Sequence, residues 1–179
     1  MEERIRRARE NIRREREKLE KRIRETCIIV VLLGAEGRGL EKRREIREKL
    51  EEEGILALIP EEDFAPDIAP SLTEEALLRR ADVDLIFINV ESWGSATELA
   101  QFHDEEHIAP KLRVLVPYEH HPIYGSSTGY LSDLYLSHLA KYGHVYAYDD
   151  SKRSFFPTSE RIILTLASRF RRLKAMGKV

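Results

Sequence analysis

Short apolar runs alternate with amphipathic stretches along most of the chain. The apolar runs predict five strands, at residues 27–33, 55–59, 84–90, 113–118 and 144–148. The stretches between and after them predict helices at residues 40–53, 73–81, 95–107, 131–142 and 157–176. Strands that are apolar throughout and alternate with helices are typical of a parallel sheet covered on both faces. The pattern therefore predicts an α/β fold with a doubly wound, mostly parallel five-stranded sheet, the Rossmann-like three-layer sandwich.

Residues 1–26 show a different pattern, that of a charged helix preceding a single α/β domain at residues 27–179. A thin apolar stripe runs along this helix, consisting of Ile5, Ala8, Ile12, Leu19 and Ile23. The stripe can dock on the chain's own body or pair with another copy in an oligomer, and a solvated arm is the remaining alternative. Glutamates interleaved among the arginines disfavour RNA binding by this helix.

Composition narrows the classes of protein. The 179 residues suffice for one domain with a sizeable core. The 30 basic and 32 acidic residues give a net charge of −2, which argues against nucleic acid as a partner. Cys27 is the only cysteine, so an intrachain disulfide is excluded, and its place in an apolar run predicts a buried thiol.

No apolar run approaches the roughly 20 residues of a membrane span, and the N-terminus is charged from its second residue. We therefore expect a soluble, cytoplasmic protein without a membrane partner. Charged residues make up 35% of the chain and amides are rare, a composition that indicates a thermophilic source.

In this architecture ligands bind at the carboxyl ends of the parallel strands, so the loops that follow those ends hold the candidate site residues. The loop after the first strand contains Gly34, Gly37, Arg38 and Gly39. Glycines allow close backbone approach, the next helix offers unpaired N–H groups, and Arg38 can contact a phosphate or carboxylate. The spacing matches neither the phosphate loop nor the dinucleotide fingerprint, and a tight strand-to-helix turn also explains the glycines.

The stretch "NVESWGSATELAQF", residues 89–102, follows the third strand. Ser95 followed by Glu98 three residues later is a capping-box pattern, which is one interpretation of Glu98. The other is a carboxylate aimed into a site at the sheet edge. Trp93 in this polar loop can form a wall for a flat ligand, although a lone Trp is more often part of a core.

The loop at residues 119–130 contains His120 and His121 but no further pattern of metal ligands, so we expect no metal there. Ser126 and Ser127 precede a helix and can either cap it or contact a phosphate or a sugar hydroxyl.

Together, "LLGAEGRG", "GILALI" and "ADVDLIFINVESWGSATELAQF" resemble the nucleoside 2-deoxyribosyltransferase superfamily. The nearest branch hydrolyses deoxynucleoside 5′-monophosphates at the N-glycosidic bond. The resemblance covers about residues 27–118 and includes Ala81-Asp82 and the pattern Ser-x-Gly-x-x-x-Glu-Leu from Ser92 to Leu99. A looser likeness exists to Rossmann-like domains of prokaryotic defence systems, which fits Gly94, Ser95, Glu98, Leu99 and Phe102.

The resemblance implies that Glu98 attacks the anomeric carbon, or stabilises positive charge there, while the base departs. It also implies that Ser92 binds the 5′-phosphate or the ribose. Where the family often has an acidic residue late in the third strand, this chain offers Asn89 and Glu91. The predicted substrate-binding residues are Gly34, Gly37, Arg38, Gly39, Asn89, Ser92, Trp93, Gly94, Ser95, Ser126 and Ser127.

We therefore expect cleavage or transfer at the N-glycosidic bond of a nucleoside or nucleotide, without a cofactor, in a homo-oligomer. The alternatives are a module that binds a nucleotide-derived ligand without chemistry, as in a sensor, and a structural role for the charged N-terminal helix.

Overall fold

The computed structural model describes residues 1–64, 70–80 and 82–179, and contains the five predicted strands. The strands are β1 (Ile29–Leu33), β2 (Leu56–Leu58), β3 (Leu85–Asn89), β4 (Leu112–Pro117) and β5 (Val145–Tyr148). The helices are α1 (Glu2–Glu25), α2 (Arg38–Glu52), α3 (Pro60–Asp63), α4 (Pro70–Leu78), α5 (Trp93–Phe102), α6 (Tyr130–Tyr142) and α7 (Ser159–Ala175). Short 3-10 turns span Ala109–Lys111 and Tyr118–His120.

All strand pairs are parallel, and the strand order is β2-β1-β3-β4-β5. The prediction of a doubly wound α/β sandwich is therefore confirmed. From β1 the chain moves outward in one direction to β2, and it then crosses to the other side of β1 to form β3. The strand order thus reverses between β1 and β3, which places a crevice at their carboxyl ends.

The two faces of the sheet explain why the strands are apolar throughout. In β1, Val31 and Leu33 pack with residues of α5 and α6, whereas Val30 and Leu32 pack with residues of α2 and α7. Successive side chains point to opposite faces. Because helices cover both faces of this sheet, both sets of side chains are buried and apolar.

The N-terminal helix α1 is attached to the body at its C-terminal end. It contacts α7, and the guanidinium of buried Arg171 donates to the carbonyls of Arg24, Thr26 and Glu53. The beginning of the apolar stripe is left in solvent, with Ile5 47% and Ile12 69% exposed. Docking on the chain's own body is thus confirmed only for the C-terminal end of the helix.

Several boundaries differ from the sequence prediction. Strand β1 begins at Ile29, so Cys27 lies before it and is exposed, and the prediction of a buried thiol was wrong. Helix α4 begins at Pro70, three residues before the predicted start at residue 73. Part of the preceding loop, residues 65–69, and Ala81 at the end of the predicted helix lie outside the described residues.

Across residues 1–64, 70–80 and 82–179, no helix combines the length and apolar character that crossing a bilayer requires.

Candidate functional site

A cleft of about 760 Å³ opens where the strand order reverses, and we call it the switch-point cleft. The loop after β1 forms one side of it and the start of α5 another, while α3 and α4 close the third. Its lining includes Leu33, Gly34, Ala35, Glu36, Arg43, Glu61, Phe64, Glu74, Ser92, Trp93 and Glu98. A cleft of this volume is within the range that holds a nucleoside-sized ligand.

Two serines hold the first turn of α5 at the edge of this cleft. Ser92 is the N-cap, and its Oγ accepts from the N–H of Ser95 at 3.2 Å. In return the Ser95 Oγ accepts from the N–H groups of Ser92 and Glu91, at 3.0 and 3.1 Å. The capping box is therefore formed by Ser92 and Ser95, and the predicted box of Ser95 with Glu98 was wrong. Glu98 has no part in the cap.

Glu98 instead lines the cleft from the second turn of α5. Its Oε2 atom is buried and has no hydrogen-bond partner among the described residues. Burial is the largest cause that raises the pKa of Glu98 to about 8, followed by the nearby carboxyls of Glu74 and Glu61, while Arg43 acts in the opposite direction. The raised pKa of Glu98 favours its protonated form at neutral pH.

Glu74, on α4, lines the same cleft. Burial, together with the charge of Glu61, raises its pKa to about 7, again opposed by Arg43. Two carboxyl groups with raised pKa values in one cleft can donate protons, accept them or stabilise a positive charge.

Arg43 is the cation of the site, and it is buried under the cleft with 5% of its surface exposed. Its Nη atoms form a two-pronged ion pair with Glu61, at 2.6 and 2.8 Å. The remaining donors go to backbone carbonyls of Leu32, Ala35 and Gly39. This arginine ties the end of β1, the following loop and α3 together.

The glycine-rich loop contributes less to the cleft than predicted. Gly34 lines it, whereas Gly37 and Arg38 are exposed and lie outside the lining. Gly37 is the N-cap of α2 with φ 62°, a left-handed conformation that favours glycine. Arg38 and Gly39 belong to the first turn of α2 rather than to the loop.

Trp93 and Gly94 stand at the mouth of the switch-point cleft, and Trp93 is 89% exposed. The expectation that Trp93 is available as a wall for a flat ligand agrees with this exposure, and the alternative of a core residue was wrong. Trp93 also borders a second cleft of about 510 Å³ on the other side of the start of α5.

Glu91 lines this second cleft, and Asn89 donates a hydrogen bond to Glu91. The hydroxyl of Tyr148 donates to Glu91 at 2.5 Å, and the amide of Asn89 donates to the same carboxylate atom at 3.0 Å. Glu91 and Tyr148 line the second cleft. Asn89 is not part of that lining, and its Oδ1 is buried and unbonded within the described part of the chain.

The loop at residues 119–130 reaches only the second cleft. Ser127 lines it, and Ser126 is exposed outside both clefts. His121 is buried and bonds to the backbone of Val145 and Ile123, which is a structural role. In the described part of the chain, no group of three or more His, Cys, Asp or Glu side chains is arranged to hold a metal ion.

Sequence reasoning missed Arg43, Glu61 and Glu74. Arg43 did carry a signal, because it shares the buried face of α2 with Ile46 and Leu50, where an unpaired charge would not be tolerated. Glu61 and Glu74 carry no comparable signal, because each is one of several acidic residues in its segment.

Comparison with models of known protein families gives no match for this chain, and neither does comparison with curated protein sequences.

Proposed function

We propose that the switch-point cleft cleaves the N-glycosidic bond of a nucleoside or nucleotide, or transfers its sugar, with Glu98 acting at the anomeric carbon. The observation that carries this proposal is the position of Glu98: it lines the cleft beside the strand-order reversal and is not used as a helix cap.

In the proposed reaction the Glu98 carboxylate forms a bond to C1′ while the C1′–N bond breaks, and the electron pair departs with the base. Water then attacks C1′ and releases Glu98, or a second base does so and gives transfer. In this proposal the base contacts Trp93 and Phe64, which line the cleft. Glu74 provides the second carboxyl group that glycosidic cleavage ordinarily uses, from α4 and not from the third strand.

A panel of nucleosides and nucleoside monophosphates, followed by chromatography for released base, tests the proposal. Glu98→Gln is expected to lower the release of base at least 100-fold. Glu106→Gln, a control at an exposed residue that follows α5, should leave it unchanged. Release that is equal in wild type and Glu98→Gln would refute the role of Glu98.

Ligand binding without chemistry is the second candidate, because the raised pKa values of Glu98 and Glu74 favour neutral carboxyl groups at pH 7. Neutral carboxyls donate hydrogen bonds to a ligand but are poor nucleophiles. A rise in melting temperature with a nucleoside, and recovery of that nucleoside intact after prolonged incubation, would support binding over turnover.

A homo-oligomer formed through α1 is also part of the proposal. The exposed part of the stripe, at Ile5 and Ile12, offers apolar surface for a second copy. Arg4 and Arg9 flank this part of the stripe, so two α1 helices paired along it would bring like charges together. Because α1 holds 11 basic and 7 acidic residues in a chain of net charge −2, the rest of the chain is acidic, and α1 is expected to dock there on a second copy.

A further inference from the structure

The switch-point cleft carries an excess of acidic side chains. Glu36, Glu61, Glu74 and Glu98 line it, and Arg43 is the only basic residue of its lining in the part of the chain that the structure describes. Residues 65–69 and 81, which lie outside the described residues, contain no Lys, Arg or His in their sequence. The charge of the cleft is therefore set by carboxyl groups.

Arg43 has no N–H donor left for a ligand. A guanidinium has five N–H donors, and those of Arg43 go to the two oxygens of Glu61 and to the carbonyls of Leu32, Ala35 and Gly39. A phosphate placed in the cleft would thus meet carboxyl groups without a free cation. Arg38 is exposed at the start of α2 but does not belong to the lining.

We propose that the cleft selects a glycoside whose leaving group is positively charged, such as a pyridinium or N-alkylated purine riboside, and disfavours one with a 5′-phosphate. This inference rests on the proposed function and specifies its substrate class. A cation in the cleft offsets the charge of Glu36 and stabilises the ionised forms of Glu74 and Glu98, and the exposed face of Trp93 at the mouth adds a cation–π surface.

Cleavage of such a substrate needs no proton donor for the base. When the C1′–N⁺ bond breaks, its electron pair neutralises the ring nitrogen, so the base leaves without receiving a proton. The Glu98 carboxylate takes the new bond at C1′ or stabilises the positive charge there. Water then supplies the hydroxyl at C1′ and gives its proton to the released carboxylate. A neutral purine, in contrast, needs a proton before it leaves.

The raised pKa values of Glu74 and Glu98 support this preference, because both reflect the cost of placing negative charge in the cleft. A cationic ligand lowers that cost and displaces protons from the two carboxyls. Binding of the cation is therefore expected to strengthen between pH 7 and pH 8.5, as Glu98 and Glu74 ionise.

Carbocyclic nicotinamide riboside, which has no glycosidic bond to hydrolyse, provides a matched set of probes. Three molecules are compared by calorimetry at pH 7 and pH 8.5 with the full-length protein. They are its cationic form, its neutral 1,4-dihydro form, and the 5′-phosphate of the form with the cationic ring. We expect the cationic form to bind at least tenfold more tightly than the neutral form at pH 8.5, and the phosphate to weaken binding. Glu74→Gln should reduce the preference for charge, whereas Glu75→Gln, its neighbour outside the lining, should not.

Equal binding of the charged and neutral forms, or no binding of either, would overturn the inference. So would tighter binding of the 5′-phosphate that is lost in Arg38→Ala. Failure of the proposed function is separate: a preference for the cation without release of base from any riboside would refute the glycosidase and leave the charge selectivity intact. Release of base from neutral nucleotides without a preference for the cation would do the reverse.

Discussion

Glu98 is held where its ionised form is costly, since it is removed from water and lies near Glu74 and Glu61. A carboxyl group in such a place is neutral until a ligand or a higher pH changes its state. The two roles open to Glu98, attack on carbon and donation of a proton, need opposite states of that one group. The dependence of the reaction on pH therefore distinguishes between them.

If Glu98 attacks the anomeric carbon, kcat/KM for base release should rise with pH and level off above the pKa of about 8. At pH 6 the value should lie roughly 100-fold below the plateau, because about one molecule in a hundred is then ionised. Initial rates with a pyridinium riboside, whose base leaves without receiving a proton, give the profile from pH 6 to pH 9. With a neutral nucleoside, a rate that falls through pH 7–8.5 would instead assign proton donation to Glu98.

Arg43 should be the most sensitive residue around the cleft. Arg43→Met leaves Glu61 and three carbonyls without their donor in a site where the arginine side chain is only 6% exposed. Glu61 is 36% exposed and can be solvated, so the loss comes mainly from the carbonyls, at about 1–3 kcal/mol for a buried acceptor left unsatisfied. Urea unfolding should show a loss of that order, whereas Arg44→Met, which breaks an exposed pair with Glu62, should cost less than about 1 kcal/mol. Equal losses in the two variants would contradict the structural role of Arg43.

At the scale of elements, the start of α5 joins the cap and the cleft within one turn. Ser92 and Ser95 satisfy the first backbone donors of α5, so the side chain of Glu98, one turn later, is free to face the cleft. The predicted capping box failed because two patterns overlap here: Ser92 to Ser95 and Ser95 to Glu98 have the same spacing, and sequence alone does not say which serine begins the helix.

At high pH, substitutions at Ser95 and Glu98 should change the free energy of unfolding in opposite directions. Ser95→Ala should lower the free energy of unfolding by about 1 kcal/mol, since it removes one side of the cap.

The folded pKa of Glu98 is raised, so its contribution to stability is fully present below pH 4.5 and is lost as pH rises towards 8. Glu98→Gln should therefore match wild type near pH 4.5 and be more stable at pH 8.5. A Glu98→Gln variant that is destabilised at both pH values would restore the capping interpretation.

The sheet could be predicted from the sequence because its strands are buried on both faces and therefore appear as apolar runs, such as "IIVVLL" at residues 28–33. The site could be predicted only in part. Glu98 was found because it follows a central strand closely, whereas Glu74 and Arg43 reach the cleft through tertiary packing of α4 and α2. Cys27 was misplaced because the apolar run extends two residues beyond the strand that pairs.

At the scale of the whole molecule, α1 is fixed at one end and free at the other. Arg171 joins the carbonyls at the end of α1 to that of Glu53 after α2, so the direction of α1 is set by the body. A helix of 24 residues is about 36 Å long. Its first half is exposed, apolar along one stripe and basic on both sides of it, which is the surface expected of an element that docks on an acidic partner.

Deleting residues 2–18 should convert the proposed oligomer to a monomer without unfolding it, because the contacts of Arg171 with Arg24 and Thr26 remain. Light scattering coupled to size exclusion measures the mass, and circular dichroism checks the fold.

Charge reversal at Arg9 and Arg16 should have the same effect if docking depends on the basic flanks, whereas reversal at Glu3, which is paired with Arg7, should not. An assembly whose mass is unchanged by the deletion would exclude α1 as the contact. Loss of mass on deletion, but not on charge reversal, would assign the contact to Ile5 and Ile12 alone. Since α1 leaves the body from the α7 side of the sheet, and the switch-point cleft lies at the strand ends, base release should persist in the monomer unless the second copy completes the cleft.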